Sequence, residues 1–138
     1  FAARYAEFNH RDERIMFSIE TLGGELVGGI NIHSMDRKNG VFETGTRIYR
    51  AYRGRGYGFQ AKLIVLRYAF RELRFQKYNI SCIESNQPMV RHAERLGCQA
   101  EGRIRRQNYT DGRYYDELIF GLTREEFDVL EERLRAHH

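Results

Sequence analysis

The stretch Arg53-Gly54-Arg55-Gly56-Tyr57-Gly58 decides how this chain is read. Upstream of it, Phe42 to Arg50 has the character of a strand. Downstream, Phe59, Leu63, Leu66, Phe70 and Leu73 recur in steps of four and three, which predicts an amphipathic helix ending near Arg74. Three glycines therefore alternate at a strand-to-helix junction. Glycine lets the backbone approach a ligand closely, and the first-turn N–H groups of a helix lack intrahelical partners. The helix dipole adds partial positive charge, and Arg53 and Arg55 add more, so a phosphate or pyrophosphate is the expected guest. The competing reading of the same residues is a tight turn with solvated arginines. A Walker loop is absent, since no Gly-Lys-Ser/Thr follows at the required spacing. Gly56-Tyr57-Gly58-Phe59-Gln60-Ala61 fits a dinucleotide fingerprint only formally, because no second nucleotide-binding half follows in so short a chain.

Reading outward, Ile15–Ile19 and Leu26–Ile32 predict two strands joined through a Gly23-Gly24 turn, the second with a glycine break at Gly28-Gly29. Asp36–Gly40 is a hairpin loop with Asn39-Gly40 as its turn signal, so the front half reads as an antiparallel meander. Residues 2–14 resemble the end of a helix. After the long helix, Tyr78–Ile83 is a short β-rich run, which makes a β–α–β crossover with a parallel strand pair the natural arrangement. Asn86 is an N-cap, Pro88 falls in the first turn, and Gly97 supplies a left-handed stop after Leu96. A strand to about Tyr109, an Asp111-Gly112 turn and Tyr114–Leu122 make a second hairpin. Thr123 and Glu126 form a capping box flanked by a Leu122/Phe127 staple. No linker or repeat interrupts the 138 residues, so one domain is expected.

Composition narrows the partners. Hydrophobic content of 41% with 30% charged residues is that of a globular chain, and no apolar run approaches the ~18–20 residues of a membrane span. Cys82 lies in a strand pattern and Cys98 after a helix stop, which favours two reduced thiols and a cytoplasmic location. His92 and these cysteines do not make a zinc site, so no metal is expected. A net charge of +4 suits an anionic partner, either a polyphosphate cofactor or nucleic acid.

Arg53–Gly58 resembles the Q/R-x-x-G-x-G/A motif of the GCN5-related N-acetyltransferase (GNAT) superfamily. Other elements agree in order. Glu43-Thr44-Gly45 resembles the acidic-x-Gly element of the Rim-type branch, which acetylates ribosomal-protein N-termini. Asn86 followed by Leu96-Gly97 is similar to its N-x(9)-L-G signature, and Glu101-Gly102 with Asp116 to its ending. The similarity runs from about residue 15 to residue 122. It implies an α+β fold: a GNAT-like mixed sheet made of the antiparallel meander, a central splayed parallel pair and the C-terminal hairpin, flanked by helices. It also implies an N-terminal strand and helix or two that this chain lacks, since it begins inside that region. Acetyl-CoA and an amine acceptor are the implied partners. The pyrophosphate would rest on the amides of Arg53, Gly54, Arg55, Gly56, Tyr57 and Gly58. The pantetheine arm would pair with backbone around Ile48 and Tyr49, and Asn86 would bond the arm.

Direct attack of an amine on the thioester needs a base to remove a proton. Glu43 is the first candidate and Glu84 the second, with a plain solvated carboxylate as the alternative reading of Glu43. The acid for the departing thiolate is unassigned. Ala93 stands where many relatives carry a tyrosine, His92 beside it can titrate, and Tyr109 and Tyr115 lie where the acceptor would enter. Two competing functions remain. One is a member that binds CoA without catalysis, motivated by Ala93. The other is a basic nucleic-acid-binding module, motivated by Arg103, Arg105 and Arg106 near Tyr109 and ranked last. An edge strand in the last hairpin makes a homodimer a further expectation.

Overall fold

The computed structural model of the protein describes residues 13–137. The helix end expected over residues 2–14 lies outside them apart from Glu13 and Arg14. Two compact units divide the chain between Gln76 and Lys77.

The first unit opens with the predicted meander. Strands β1 (Ile15–Glu20), β2 (Leu26–Asp36) and β3 (Val41–Ile48) pair antiparallel in that order. The break expected at Gly28-Gly29 does not occur, and β2 runs unbroken through both glycines. The reason is proximity: a Cβ on Gly28 would lie 2.1 Å from the Arg47 carbonyl oxygen, so glycine lets β2 and β3 approach. The β2–β3 turn is tied by the Asn39 N–H, which donates to the Asp36 carboxylate at 3.0 Å, with Gly40 left-handed at φ 72°. Between His33 and Asp36 the register slips by one residue, at Ser34 with φ 51°.

β3 ends at Ile48, two residues earlier than the sequence suggests, because a 3₁₀ turn over Arg50–Tyr52 takes over; the Tyr52 N–H donates to Tyr49 O at 2.9 Å. Helix α1 (Tyr57–Arg67) follows and closes with a π turn over Tyr68–Glu72, where the Leu73 N–H reaches Tyr68 O at 3.1 Å. Its buried stripe is Ala61, Lys62, Val65, Leu66, Ala69 and Phe70. Only Leu66 and Phe70 belong to the predicted face, while Phe59, Leu63 and Leu73 are half-buried. The rest of the stripe is made of Ala61, Lys62, Val65 and Ala69, which a pattern of large apolar residues passes over. Phe42 anchors this core, with its ring centroid 5.5 Å from Phe70 edge-on and 5.2 Å from Phe75.

In the second unit β4 (Lys77–Ile83) pairs antiparallel with β6 (Arg113–Thr123), and β6 with β5 (Gln99–Thr110). Helix α2 (Gln87–Leu96) packs on β4 and α3 (Arg124–Ala136) on β6. The end signals read from the sequence hold. Asn86 Oδ1 accepts from the Met89 N–H, Gly97 is left-handed at φ 81°, and the Asp111-Gly112 turn has φ 52° and 76°. The Thr123/Glu126 capping box is reciprocal, at 2.9 and 3.1 Å. Leu122 and Phe127 on either side of it are fully buried, each contributing about 1.5–3 kcal/mol of apolar burial.

Candidate active site

The glycine loop has the backbone an anion cradle needs. Gly54 and Gly56 are both left-handed, at φ 78° and 83°, and a Cβ on either would meet nothing within 4 Å, so the loop stands open. Gly56 is the N-cap of α1, and no side chain caps that end. The donors of the first helical turn are thus presented by backbone alone. Gly58 has another role: its Cα faces Ile48, where a Cβ would lie 3.6 Å from the side chain, so it seats α1 on β3. Of the two flanking arginines, Arg53 folds back and donates from Nε to Ile48 O at 3.0 Å, which fixes the end of β3. Arg55 lies over the Tyr52 ring at 5.7 Å, and the Tyr52 hydroxyl donates to Glu25. That carboxylate raises the Tyr52 pKa. The geometry fits a pyrophosphate held by amides, with Arg55 rather than Arg53 as the adjacent cation.

Tyr49 and Ile48 close β3 just before this loop, and Glu43 stands half-buried near the strand's other end. Glu43 lies directly opposite His33 on β2, so the two share a face of the sheet. One step along that face Asn31 lies opposite Gly45, and one further step on Gly29 lies opposite Arg47. The sequence reading passed over Asn31 and His33. The signal available was their alternation with Ile30 and Ile32, which places polar groups on one face and apolar groups on the other.

In the second unit, Glu84 is engaged. Its Oε1 accepts the Asp116 N–H at 2.9 Å and its Oε2 pairs with Arg103 Nη1 at 3.0 Å, while the same Nη1 donates to Asp116 Oδ2 at 2.7 Å. Asp116 Oδ1 accepts the Arg106 N–H at 2.9 Å, across a bulge in β5 where Arg106 has φ 54°. Arg103, one of the three arginines that motivated the nucleic-acid reading, closes this carboxylate pair. Asn86 gives its side-chain oxygen to α2, Ala93 is fully buried, and His92 is half-buried on the same helix. Cys82 is a buried free thiol; burial, then the nearby Glu117 charge, raises its pKa.

The bond from the Arg106 N–H, and then the one from Arg103, hold the Asp116 carboxyl below its ordinary 3.8. A carboxyl depressed by folding stabilises the fold above its unfolded pKa, and that contribution disappears as pH falls through the lower folded value. Asp116→Asn is therefore expected to lower stability at neutral pH and to flatten the acid limb below about pH 4. Urea midpoints between neutral and strongly acidic pH would show this. Parallel curves for the two proteins would contradict it.

Comparison with known proteins matches these geometries to one family. Residues 1–99 match the model of the acetyltransferase (GNAT) domain. The SPbeta prophage-derived uncharacterized N-acetyltransferase YokL of Bacillus subtilis is 40% identical over 119 residues, covering 86% of this chain and 67% of that protein. YdaF of Bacillus subtilis, whose name assigns it provisionally to the ribosomal N-acetyltransferases, is 27% identical, covering 91% of this chain and 66% of its own. The chain thus spans about two thirds of the length of these curated relatives. A GCN5-related N-acetyltransferase from Brucella melitensis superposes with a TM-score of 0.77 at 25% identity, covering 99% of this chain and 64% of that one. A mutant spermidine N-acetyltransferase SpeG from Vibrio cholerae superposes at 0.76 over 91% of this chain and 74% of its own, and at 20% identity it shares the fold alone. The α+β class read from the sequence is the class of these structures, and the glycine loop that opened the reading falls inside the matched domain. The chain belongs to the GNAT acetyltransferase family.

Proposed function

We propose that this protein is an acetyl-CoA-dependent N-acetyltransferase that moves the acetyl group to a primary amine by direct attack in a ternary complex. The observation that carries the reading is the open loop of left-handed glycines at the uncapped start of α1. In this reading the amides of residues 53–58 hold the pyrophosphate and backbone at Ile48 and Tyr49 pairs with the pantetheine arm. Bringing amine and thioester together in one orientation supplies much of the rate, and backbone N–H groups stabilise the developing oxyanion.

Glu43 is the proposed base, with His33 opposite it as a second group able to take the proton. Glu84 is better placed to hold Arg103 and the Asp116 backbone than to accept a proton, because both its oxygens are engaged. His92 stays a candidate acid on α2. Among the described residues no helix is long and apolar enough to cross a membrane. Calorimetry with acetyl-CoA, followed by thiol release on addition of amines, tests the function. Binding with amine-dependent release is expected; no binding would overturn it, and binding without release would leave a CoA-binding protein.

A further inference from the structure

No residue of β5 is buried, and the hairpin it forms with β6 has no part in the chemistry proposed above. Between Ile104 and Asn108 β5 advances four residues while β6 advances two, from Glu117 to Tyr115. The surplus makes a bulge at Arg105, Arg106 and Gln107, and a bulge re-aims the side chains it carries. Arg106 is left-handed there, at φ 54°, in a backbone region that residues other than glycine seldom enter. Neighbouring side chains hold it in that shape. The Arg106 N–H donates to Asp116 Oδ1 at 2.9 Å, and Asp116 is fixed in turn by Arg103, which also binds Glu84.

What the bulge delivers is a stack of an arginine on two tyrosines. The Arg106 guanidinium lies 5.0 Å over the Tyr114 ring. Tyr109, directly opposite Tyr114, meets that ring edge-on at 5.1 Å. Tyr109 is 66% exposed and Tyr114 58%, so both rings remain open to a ligand. Tyr115, the next residue along β6, faces the other way and carries a second cation, with Arg113 at 5.6 Å from its ring. Arg105, Arg106 and Arg113 make no ion pair among the described residues, whereas Arg103 spends its charge on Glu84 and Asp116. The hairpin therefore joins exposed aromatic surface to uncompensated positive charge. Single-stranded nucleic acid has the matching parts, since its bases stack on rings and its phosphates seek arginine. An acidic peptide would use the cations and leave the rings idle.

We propose that the β5–β6 hairpin binds single-stranded nucleic acid, with a base stacked on Tyr109, Arg106 braced on Tyr114 to meet the phosphate beside that base, and Arg105 neutralising a neighbouring phosphate. This surface is additional to the acetyltransferase site and does not depend on it. Arg103 makes no contact with the strand; with Glu84 and Asp116 it keeps the bulge in shape.

The test is fluorescence anisotropy of a labelled oligouridylate of about a dozen nucleotides, titrated with the full chain at several salt concentrations. Wild type should bind it, more tightly than the same strand annealed to oligoadenylate, and more weakly as salt rises. Arg106→Gly keeps the N–H that Asp116 accepts and suits the left-handed backbone, so it removes the guanidinium and leaves the bulge; binding should weaken about tenfold. Circular dichroism of this variant should match wild type. Tyr109→Leu should also weaken binding about tenfold, while Tyr109→Phe, which keeps the ring, should stay near wild type. Arg105→Gln should lower the slope of log affinity against log salt by about 0.7, the loss of one phosphate contact. No binding by wild type, or unchanged affinity in a folded Arg106→Gly or in Tyr109→Leu, would overturn the proposal. So would displacement of the strand by polyglutamate or phosphatidylserine vesicles as readily as by unlabelled oligouridylate at equal charge, since that surface would read charge alone.

Discussion

Replacing Gly56 with glutamate is expected to weaken acetyl-CoA binding at least 100-fold, about 2.7 kcal/mol. Two effects act in the same direction. Gly56 is left-handed at φ 83°, a conformation that costs an L-residue about 1–2 kcal/mol, so a side chain there pulls the loop out of shape. The glutamate also brings a negative charge to the helix end proposed to receive an anion. Gly56→Ala separates the two, since it keeps the conformational cost without the charge. The space around the position is open, with nothing within 4 Å of a Cβ, so steric collision adds nothing. Calorimetry on the wild type and both variants should place alanine between the other two. Equal affinity for all three would remove the loop from the binding site.

Gly28→Ala should be the most damaging substitution for the fold. The new Cβ would sit 2.1 Å from Arg47 O and 3.0 Å from Ile48 Cα, both main-chain atoms of a paired strand. Neither can rotate away, so β2 and β3 must part. Overpacking of this kind costs about 1–3 kcal/mol where side chains can yield, and more is expected here. Gly121→Ala is the control. Its Cβ would meet the Glu101 carboxylate at 2.4 Å, which is closer than contact but at the tip of a flexible side chain. Glu101 can swing away, losing its 2.7 Å pair with Lys77, a partly exposed bridge contributing about 0–1 kcal/mol. Urea unfolding should therefore separate the two alanines by about 2 kcal/mol or more. Equal stabilities would show that β2 and β3 have room to spare at Gly28.

Local chemistry made much of this molecule legible in advance. The caps at Asn86 and Thr123, the stop at Gly97, the Asn39-Gly40 and Asp111-Gly112 turns and the loop at residues 53–58 are each set by residues a few positions apart, and each appears where the sequence puts it. The open face of the first unit was not legible, for a definable reason. Extending the register from the Asp36/Val41 pair would set Asn31 opposite Thr46 and His33 opposite Thr44. The irregularity between His33 and Asp36 shifts the pairing by one, which exchanges the faces and brings Gly45 and Glu43 opposite Asn31 and His33. Nothing in Ser34 announces that slip. The same holds for Arg103, whose place between Glu84 and Asp116 depends on a bulge in β5 and on residues 19 and 13 positions away. The helix face was misjudged at Phe59 and Leu63 because a pattern of large apolar side chains passes over the buried Ala61, Lys62, Val65 and Ala69.

The shared guanidinium of Arg103 also constrains how this sequence can drift. Glu84 spends its oxygens on the Asp116 N–H and on Arg103, and Asp116 spends its own on the Arg106 N–H and the same cation, so no member can change sign or length without leaving two others mismatched. Homologues should vary these three positions together or keep all three, and a combinatorial library randomised at the three codons should return folded clones as linked sets rather than as independent choices.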